Sequence, residues 1–141
     1  MIEITDNEGR PVGVNGPHSS EGTRAIAAGI DRAVRMLNYA TMPGNGGLVY
    51  PSTVYSVYGE LVDALGKLPQ ALNQMADWIG EQVDAGAIRE NPDYGKHGGN
   101  VQAAHATLVE ATAAACAKAD ELAKVLGRAR SAVGGLEAVE D

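Results

Sequence analysis

A seam of apolar residues from Val54 to Ile79 restricts the fold of this chain more than any other feature of its sequence. The steps between its members alternate between four and three residues, the heptad spacing of a helix that packs lengthwise along another helix. The seam consists of Val54, Tyr58, Leu61, Leu65, Leu68, Leu72, Met75 and Ile79, with Trp78 on its flank. Both flanks are mostly apolar or small, so the face is wider than a two-stranded coiled coil needs. The sequence therefore predicts a central helix with neighbours on both sides, in a bundle or an oligomer.

Two features complicate this helix. Pro69 lies inside it, where a proline removes a backbone hydrogen bond and typically costs about 3 kcal/mol. The heptad register continues across Pro69, so we expect one bent helix, with two helices on a shared axis as the alternative. Gly59, Gly66 and Gly80 share one heptad position. This glycine stripe has two interpretations. Another helix approaches closely there, as in an oligomer, or the glycines arose by neutral sequence drift on a face that packing already stabilises.

A second long helix follows a loop of helix-breaking residues at 90–99. Asn100 is a good N-cap, and the helix after it is rich in alanine, which lets neighbouring helix axes approach closely. Antiparallel folding around the loop pairs positions whose numbers sum to about 189, which places Met75 near Ala114. The sequence thus predicts an antiparallel helical hairpin over residues 52–88 and 100–133. The second helix contributes Leu108, Ala115, Leu122 and Leu126 to the predicted interacting residues.

The N-terminal part of the chain predicts a shorter helix over residues 20–41, capped by Ser19 or Ser20. We expect it to lie along the hairpin and complete an all-α, three-helix bundle over residues 19–136. Residues 1–18 alternate apolar and polar side chains around a turn-forming segment, which predicts a short β-hairpin or an extended arm. This arm is either a loosely held terminus or a strand for a neighbour's edge. Residues 137–141 form an acidic tail.

Composition and charge limit the possible partners and compartments. Hydrophobic residues make up 45% of the chain and charged residues 21%, a globular balance, and the formal net charge is −7. Negative charge disfavours nonspecific binding to nucleic acid or anionic lipid. The only basic patch that could serve nucleic acid comprises Arg24, Arg32, Arg35, Arg128 and Arg130. No apolar run predicts a membrane span or a signal peptide, so we expect a cytoplasmic protein, or alternatively one secreted without a cleaved signal peptide.

No residues predict catalysis, metal binding or a cofactor, so we expect a protein that is not an enzyme. His18, His97 and His105 have no second ligand at a suitable spacing. His105 is a seam residue, and we expect it to form a polar layer facing Gln82 or a near neighbour. The glycine-rich run from Gly95 to Asn100 lacks the residue order of a phosphate-binding loop and is interpreted as a flexible connection.

The tripeptide Trp78-Ile79-Gly80 matches the W-x-G motif of the WXG100 helical-hairpin proteins, which type VII secretion systems export. The chain resembles that family from about residue 50 to 136 in its alanine-rich helices and acidic charge. It departs in two respects: the tripeptide precedes the loop instead of marking the turn, and no tyrosine is followed four residues later by Asp or Glu. In its Ala/Gly bias and in the run from Tyr55 to Ile79 (Tyr-x-x-Tyr-Gly-Glu-Leu, then Leu-Pro-Gln-Ala-Leu, then Trp-Ile), the chain also resembles small uncharacterised helical proteins of actinobacteria and their mobile elements, a likeness that implies no function.

These observations lead to three functional hypotheses. The first is a non-enzymatic helical scaffold or adaptor that acts through protein–protein interaction, binding itself as a homo-oligomer or another helical protein. The second, implied by the resemblance, is a WXG100-like secreted or secretion-associated dimeric factor. The third is a nucleic-acid-associated regulator, which the net charge of −7 disfavours.

Overall fold

The computed structural model describes residues 2–140, which form three α-helices: α1 over Ser20–Ala40, α2 over Pro51–Asp84 and α3 over Val101–Val133. The expected all-α class is confirmed. The chain divides into two compact units, Met1–Val49 and Tyr50–Asp141. The bundle of three helices stays a prediction. Of the helices in residues 2–140, none combines the length and apolarity needed to cross a membrane.

Local side-chain chemistry sets where each helix begins. Ser19 Oγ accepts a hydrogen bond from the Gly22 N–H at 3.0 Å, and Asn100 Oδ1 accepts one from the Ala103 N–H at 3.0 Å. Each satisfies a backbone donor that has no partner within its own helix. Pro51 begins α2, where its missing N–H costs nothing. α2 ends at Asp84, earlier than the predicted boundary at residue 88.

The N-terminal segment turns back on itself without forming strands. The backbone closes a turn from Asp6 to Gly9, and a single antiparallel bridge joins Thr5 to Pro11. Pro11 has no N–H to donate, so the pairing cannot extend into a ladder there. A β-hairpin is therefore not confirmed within residues 2–140.

The N-terminal segment also contacts α1 at two glycines. The Ile4 side chain lies 3.2 Å from the position that a Cβ would take at Gly29, and the Val12 side chain lies 3.8 Å from the same position at Gly22. Small residues on α1 thus leave room for the two apolar side chains. The segment is held against its own chain's helix by these contacts.

α2 is continuous through Pro69. Residues 51–84 therefore form one helix and not two helices on a shared axis. α3 lies alongside the proline: Cys116 Sγ is 3.8 Å from the Pro69 carbonyl oxygen and 3.8 Å from Asn73 Oδ1. Packing against α3 at this point stabilises a turn of α2 that lacks one backbone hydrogen bond.

α2 and α3 contact each other near the start, the middle and the end of α2, and the α3 residues in these contacts follow in reverse order. Near the start of α2, the Arg130 guanidinium lies over the Tyr55 ring at 4.3 Å from its centroid. Near the end of α2, a Cβ added to Gly80 would lie 2.8 Å from His105 Nε2. The start of α2 thus meets the end of α3, and the two helices run in opposite directions.

Side chains of α3 fill two positions of the glycine stripe. A Cβ at Gly59 would lie 3.0 Å from Arg130 Nε, and Gly80 accommodates His105 in the same way. A Cβ at Gly66 would meet nothing within 4 Å. Gly59 and Gly80 thus serve packing within the α2–α3 pair. His105 lies against Gly80, and the polar layer expected at His105 stays a prediction.

Candidate interaction surface

The α2–α3 pair buries very little of its apolar surface. Among the described residues, the buried hydrophobic side chains are Ala76, 6% exposed, and Ala119, 7% exposed, and no large side chain is fully buried. A globular domain normally encloses several large apolar side chains, and each contributes about 1.5–3 kcal/mol when fully buried. The described chain therefore lacks the core that its apolar composition could provide.

The accessible surface supports the same conclusion. The chain exposes 10915 Å² for a mass of 14.6 kDa. Folded monomers of this mass expose about 6900 Å², and two separate folded proteins of about 5 and about 9.6 kDa would together expose about 8200 Å². The excess is roughly 2700 Å² even when the two compact units are counted separately. A large area of this chain is therefore available to be covered.

The structure separates the predicted interacting residues into two groups. The half-buried group comprises Val54, Tyr58, Leu61, Leu65, Leu72, Ile79, Leu108 and Leu126. The exposed group comprises Leu68, Met75, Trp78, Ala115 and Leu122. Met75 and Trp78 are each 56% exposed, Leu122 48% and Leu68 39%. Packing between α2 and α3 thus accounts for part of the seam and leaves the other part uncovered.

Four members of the exposed group, Leu68, Met75, Ala115 and Leu122, lie on one side of the pair. The contacts at Gly59 and Gly80 fix the side of α2 that meets α3, and those at His105 and Arg130 fix the corresponding side of α3. With about 100° of rotation per residue, Leu68 and Met75 lie on one line along α2, and Ala115 and Leu122 lie on one line along α3. Because the helices run in opposite directions, both lines lie on the same side of the pair. We call this surface, made of Leu68, Met75, Ala115 and Leu122, the apolar side. Trp78 lies at its edge on α2, about 60° of rotation from Met75.

The opposite side of the pair is polar. On α2 it carries charged and amide residues, and on α3 it carries charged residues with small ones between them. Its members include Glu60, Asp63, Lys67, Gln70, Gln74, Asp77, Glu81, Glu110, Asp120, Lys124 and Arg128. Among the described residues, no ion pair joins α2 to α3. The pair is therefore amphipathic as a unit, with its charges in solvent and much of its apolar area uncovered.

Arg130 is a cation held between the two helices. Its guanidinium packs against Gly59 and over the Tyr55 ring, and its Nε is buried without a hydrogen-bond partner among the described residues. Stacking on an aromatic face stabilises a guanidinium in such surroundings. This packing also removes Arg130 from the five-arginine patch that sequence reasoning considered for nucleic acid.

The loop between α2 and α3 is organised around the Glu90 carboxylate, which sequence reasoning missed. Its side chain is 9% exposed. Oε1 accepts hydrogen bonds from the His97 and Gly99 N–H groups at 2.9 Å each, and Oε2 lies 3.0 Å from His97 Nδ1. His97 Nε2 lies 2.9 Å from Thr107 Oγ1, which connects the loop to α3. The loop expected to be flexible is thus fastened by one carboxylate.

This fastening predicts a pH-dependent stability. Burial raises the pKa of Glu90, but hydrogen bonds from Gly99 and His97 and the charge of His97 outweigh it and hold the pKa below its usual value. A lowered folded-state pKa stabilises the fold above the unfolded value near 4.5, and this contribution is lost as the pH falls through the folded pKa. Glu90→Gln should therefore lower the melting temperature at about pH 7 and have a smaller effect at about pH 3, below the unfolded-state pKa.

Thermal melts followed by circular dichroism at both pH values measure this difference. Glu81→Gln is the matched control, because Glu81 is exposed and makes no side-chain hydrogen bond within the described residues. An equal effect of Glu90→Gln at both pH values would contradict the role of the charged carboxylate.

The chain matches no protein-family model, no curated protein and no solved structure.

Proposed function

We propose that this protein is a non-enzymatic helical scaffold that acts through protein–protein interaction and associates with itself. The observation that carries the proposal is the apolar side of the α2–α3 pair, where Met75 remains more than half exposed, with Trp78 equally exposed at its edge. An exposed apolar surface of this kind, bordered by polar residues, is typical of a protein interaction site. The candidate partners are a second copy of the chain and another helical protein.

The secretion-associated alternative has one supporting observation. α2 and α3 are two long helices that run in opposite directions, which is the architecture that the WXG100 resemblance implies. In this chain, however, Trp78 lies within α2, well before the loop that follows Asp84. The scaffold hypothesis needs no export signal and is therefore preferred. A nucleic-acid regulator has less support, because Arg130 is packed against Tyr55.

Sedimentation equilibrium of the full chain at micromolar concentration tests the proposal. We expect a mass of at least twice the 14.6 kDa of one chain. A mass of one chain throughout the accessible concentration range would refute self-association. Added salt should not dissociate the assembly, because its main contribution is burial of apolar surface, which salt screening leaves unchanged.

A further inference from the structure

We propose that a second copy of this chain covers the apolar side, with the two α2 helices antiparallel and Leu68 at the centre of their contact. The inference rests on the proposed self-association and specifies its geometry. Identical chains most often pair about a two-fold axis, where the same surface of each copy meets the other. A two-fold axis perpendicular to α2 makes the two helices antiparallel.

The exposed apolar side chains of α2 suit such a contact. Leu68 is 39% exposed and Met75 is 56% exposed on the apolar side, and Trp78 is 56% exposed at its edge. Large apolar and aromatic side chains that become buried on association contribute most to an interface, and tryptophan is enriched among them.

The order of large and small residues along α2 fits a centre at Leu68. Leu68 lies midway along Pro51–Asp84, and residues equally far before and after it face each other across the axis. Met75 of one copy then meets Leu61 of the other. Two small residues flank the centre and let the helix axes approach closely, namely Ala64 and Ala71.

The distribution of charge along the pair favours the antiparallel orientation. We define the loop half as residues 68–84 and 101–117, and the terminal half as residues 51–67 and 118–133. The helices of the loop half carry carboxylates and no Lys or Arg, namely Asp77, Glu81, Asp84 and Glu110, and the loop between them adds two charges of each sign. The terminal half carries both signs: Lys67, Lys118, Lys124, Arg128 and Arg130 with Glu60, Asp63, Asp120 and Glu121.

A parallel dimer would set the two acidic loop halves beside each other, where like charges repel. An antiparallel dimer sets each acidic loop half beside a terminal half that carries cations. Most of these charges lie on the polar side, so their effect is a bias of orientation that acts mainly at low salt. Burial of the apolar side provides the affinity, and the charges favour the antiparallel orientation of the two copies.

Cysteine cross-linking of the full chain tests this geometry. Cys116 is the only cysteine, so Cys116→Ser gives a background without thiols. A disulfide forms only when the two Cα atoms lie within about 7 Å of each other. In this dimer, a residue comes that close to the same residue of the other copy only if it lies near the two-fold axis. In this background, we expect oxidation to link Leu68→Cys into covalent dimers, and to leave Leu61→Cys alone or Met75→Cys alone unlinked.

An equimolar mixture of Leu61→Cys and Met75→Cys should form cross-linked dimers. At most about half of the chains should be linked, because random pairing places about half of them in mixed dimers. Gln74→Cys, on the polar side, is the matched control and should remain unlinked. Self-linking of Leu61→Cys and Met75→Cys, each alone, would overturn the antiparallel arrangement. Sedimentation of the Cys116→Ser background separates the two proposals: a dimer with that pattern leaves self-association intact, whereas a monomer refutes both.

Discussion

Leu72→Asp is expected to unfold the α2–α3 pair, with the loss of most helical signal in circular dichroism at 37 °C. Leu72 is half-buried and lies between Pro69 and Asn73, both of which Cys116 of α3 approaches within 3.8 Å. A carboxylate there would be moved away from water with no cation opposite it. The cost should be about 3 kcal/mol or more, a large share of the roughly 5–15 kcal/mol that stabilises a typical domain.

Gln74→Asp is the matched control for this change. Gln74 lies on the same helix, two residues away, and its side chain is exposed on the polar side. It introduces the same carboxylate into water, so its effect should stay within about 0.5 kcal/mol. Urea unfolding of both variants measures the difference in the free energy of unfolding. Equal stability of Leu72→Asp and Gln74→Asp would contradict the packing of α2 against α3.

Met75→Asp combined with Trp78→Asp is expected to weaken self-association by at least about 100-fold in the dissociation constant. Both side chains are 56% exposed in the single chain. Their replacement therefore removes little packing between α2 and α3, but it places one carboxylate within the proposed contact, at residue 75, and one at its edge, at residue 78. A dilution series in analytical ultracentrifugation measures the dissociation constant, and circular dichroism at the highest concentration reports whether helices persist.

Gln70→Asp combined with Gln74→Asp controls for the added charge. Both residues are exposed on the polar side of α2, so this variant gains the same two carboxylates without altering the apolar side. Its dissociation constant should remain within a few-fold of that of the unmodified chain. If both double variants weakened association equally, net charge rather than the apolar side would govern it.

The heptad pattern identifies the apolar face of α2 but not which part of that face is covered. Leu72 and Met75 have equal standing in the spacing, yet Leu72 is half-buried and Met75 is 56% exposed. The difference depends on where α3 lies, and α3 is positioned by contacts such as those of Arg130 and His105 with glycines on α2. The sequence of one helix shows the spacing at which apolar residues recur along its face. It does not show the angle at which a neighbouring helix packs against that face.

The loop shows a different limit. Sequence reasoning treated residues 90–99 as a flexible connection because helix-breaking residues are concentrated there. Glu90 instead accepts hydrogen bonds from residues seven and nine positions later. Those separations belong to no regular period, so no pattern in the sequence indicates them. The helix caps were easier to predict, since Ser19 and Asn100 act within three residues of themselves.

The melting temperature of the unmodified chain, measured from about 1 µM to about 100 µM, tests most directly whether another copy covers the apolar side. When folding is coupled to association, mass action makes the melting temperature rise with protein concentration. We expect such a rise in the unmodified chain, and its loss in the Met75→Asp/Trp78→Asp variant. A melting temperature that is independent of concentration, together with the sedimentation mass of a single chain, would contradict the account.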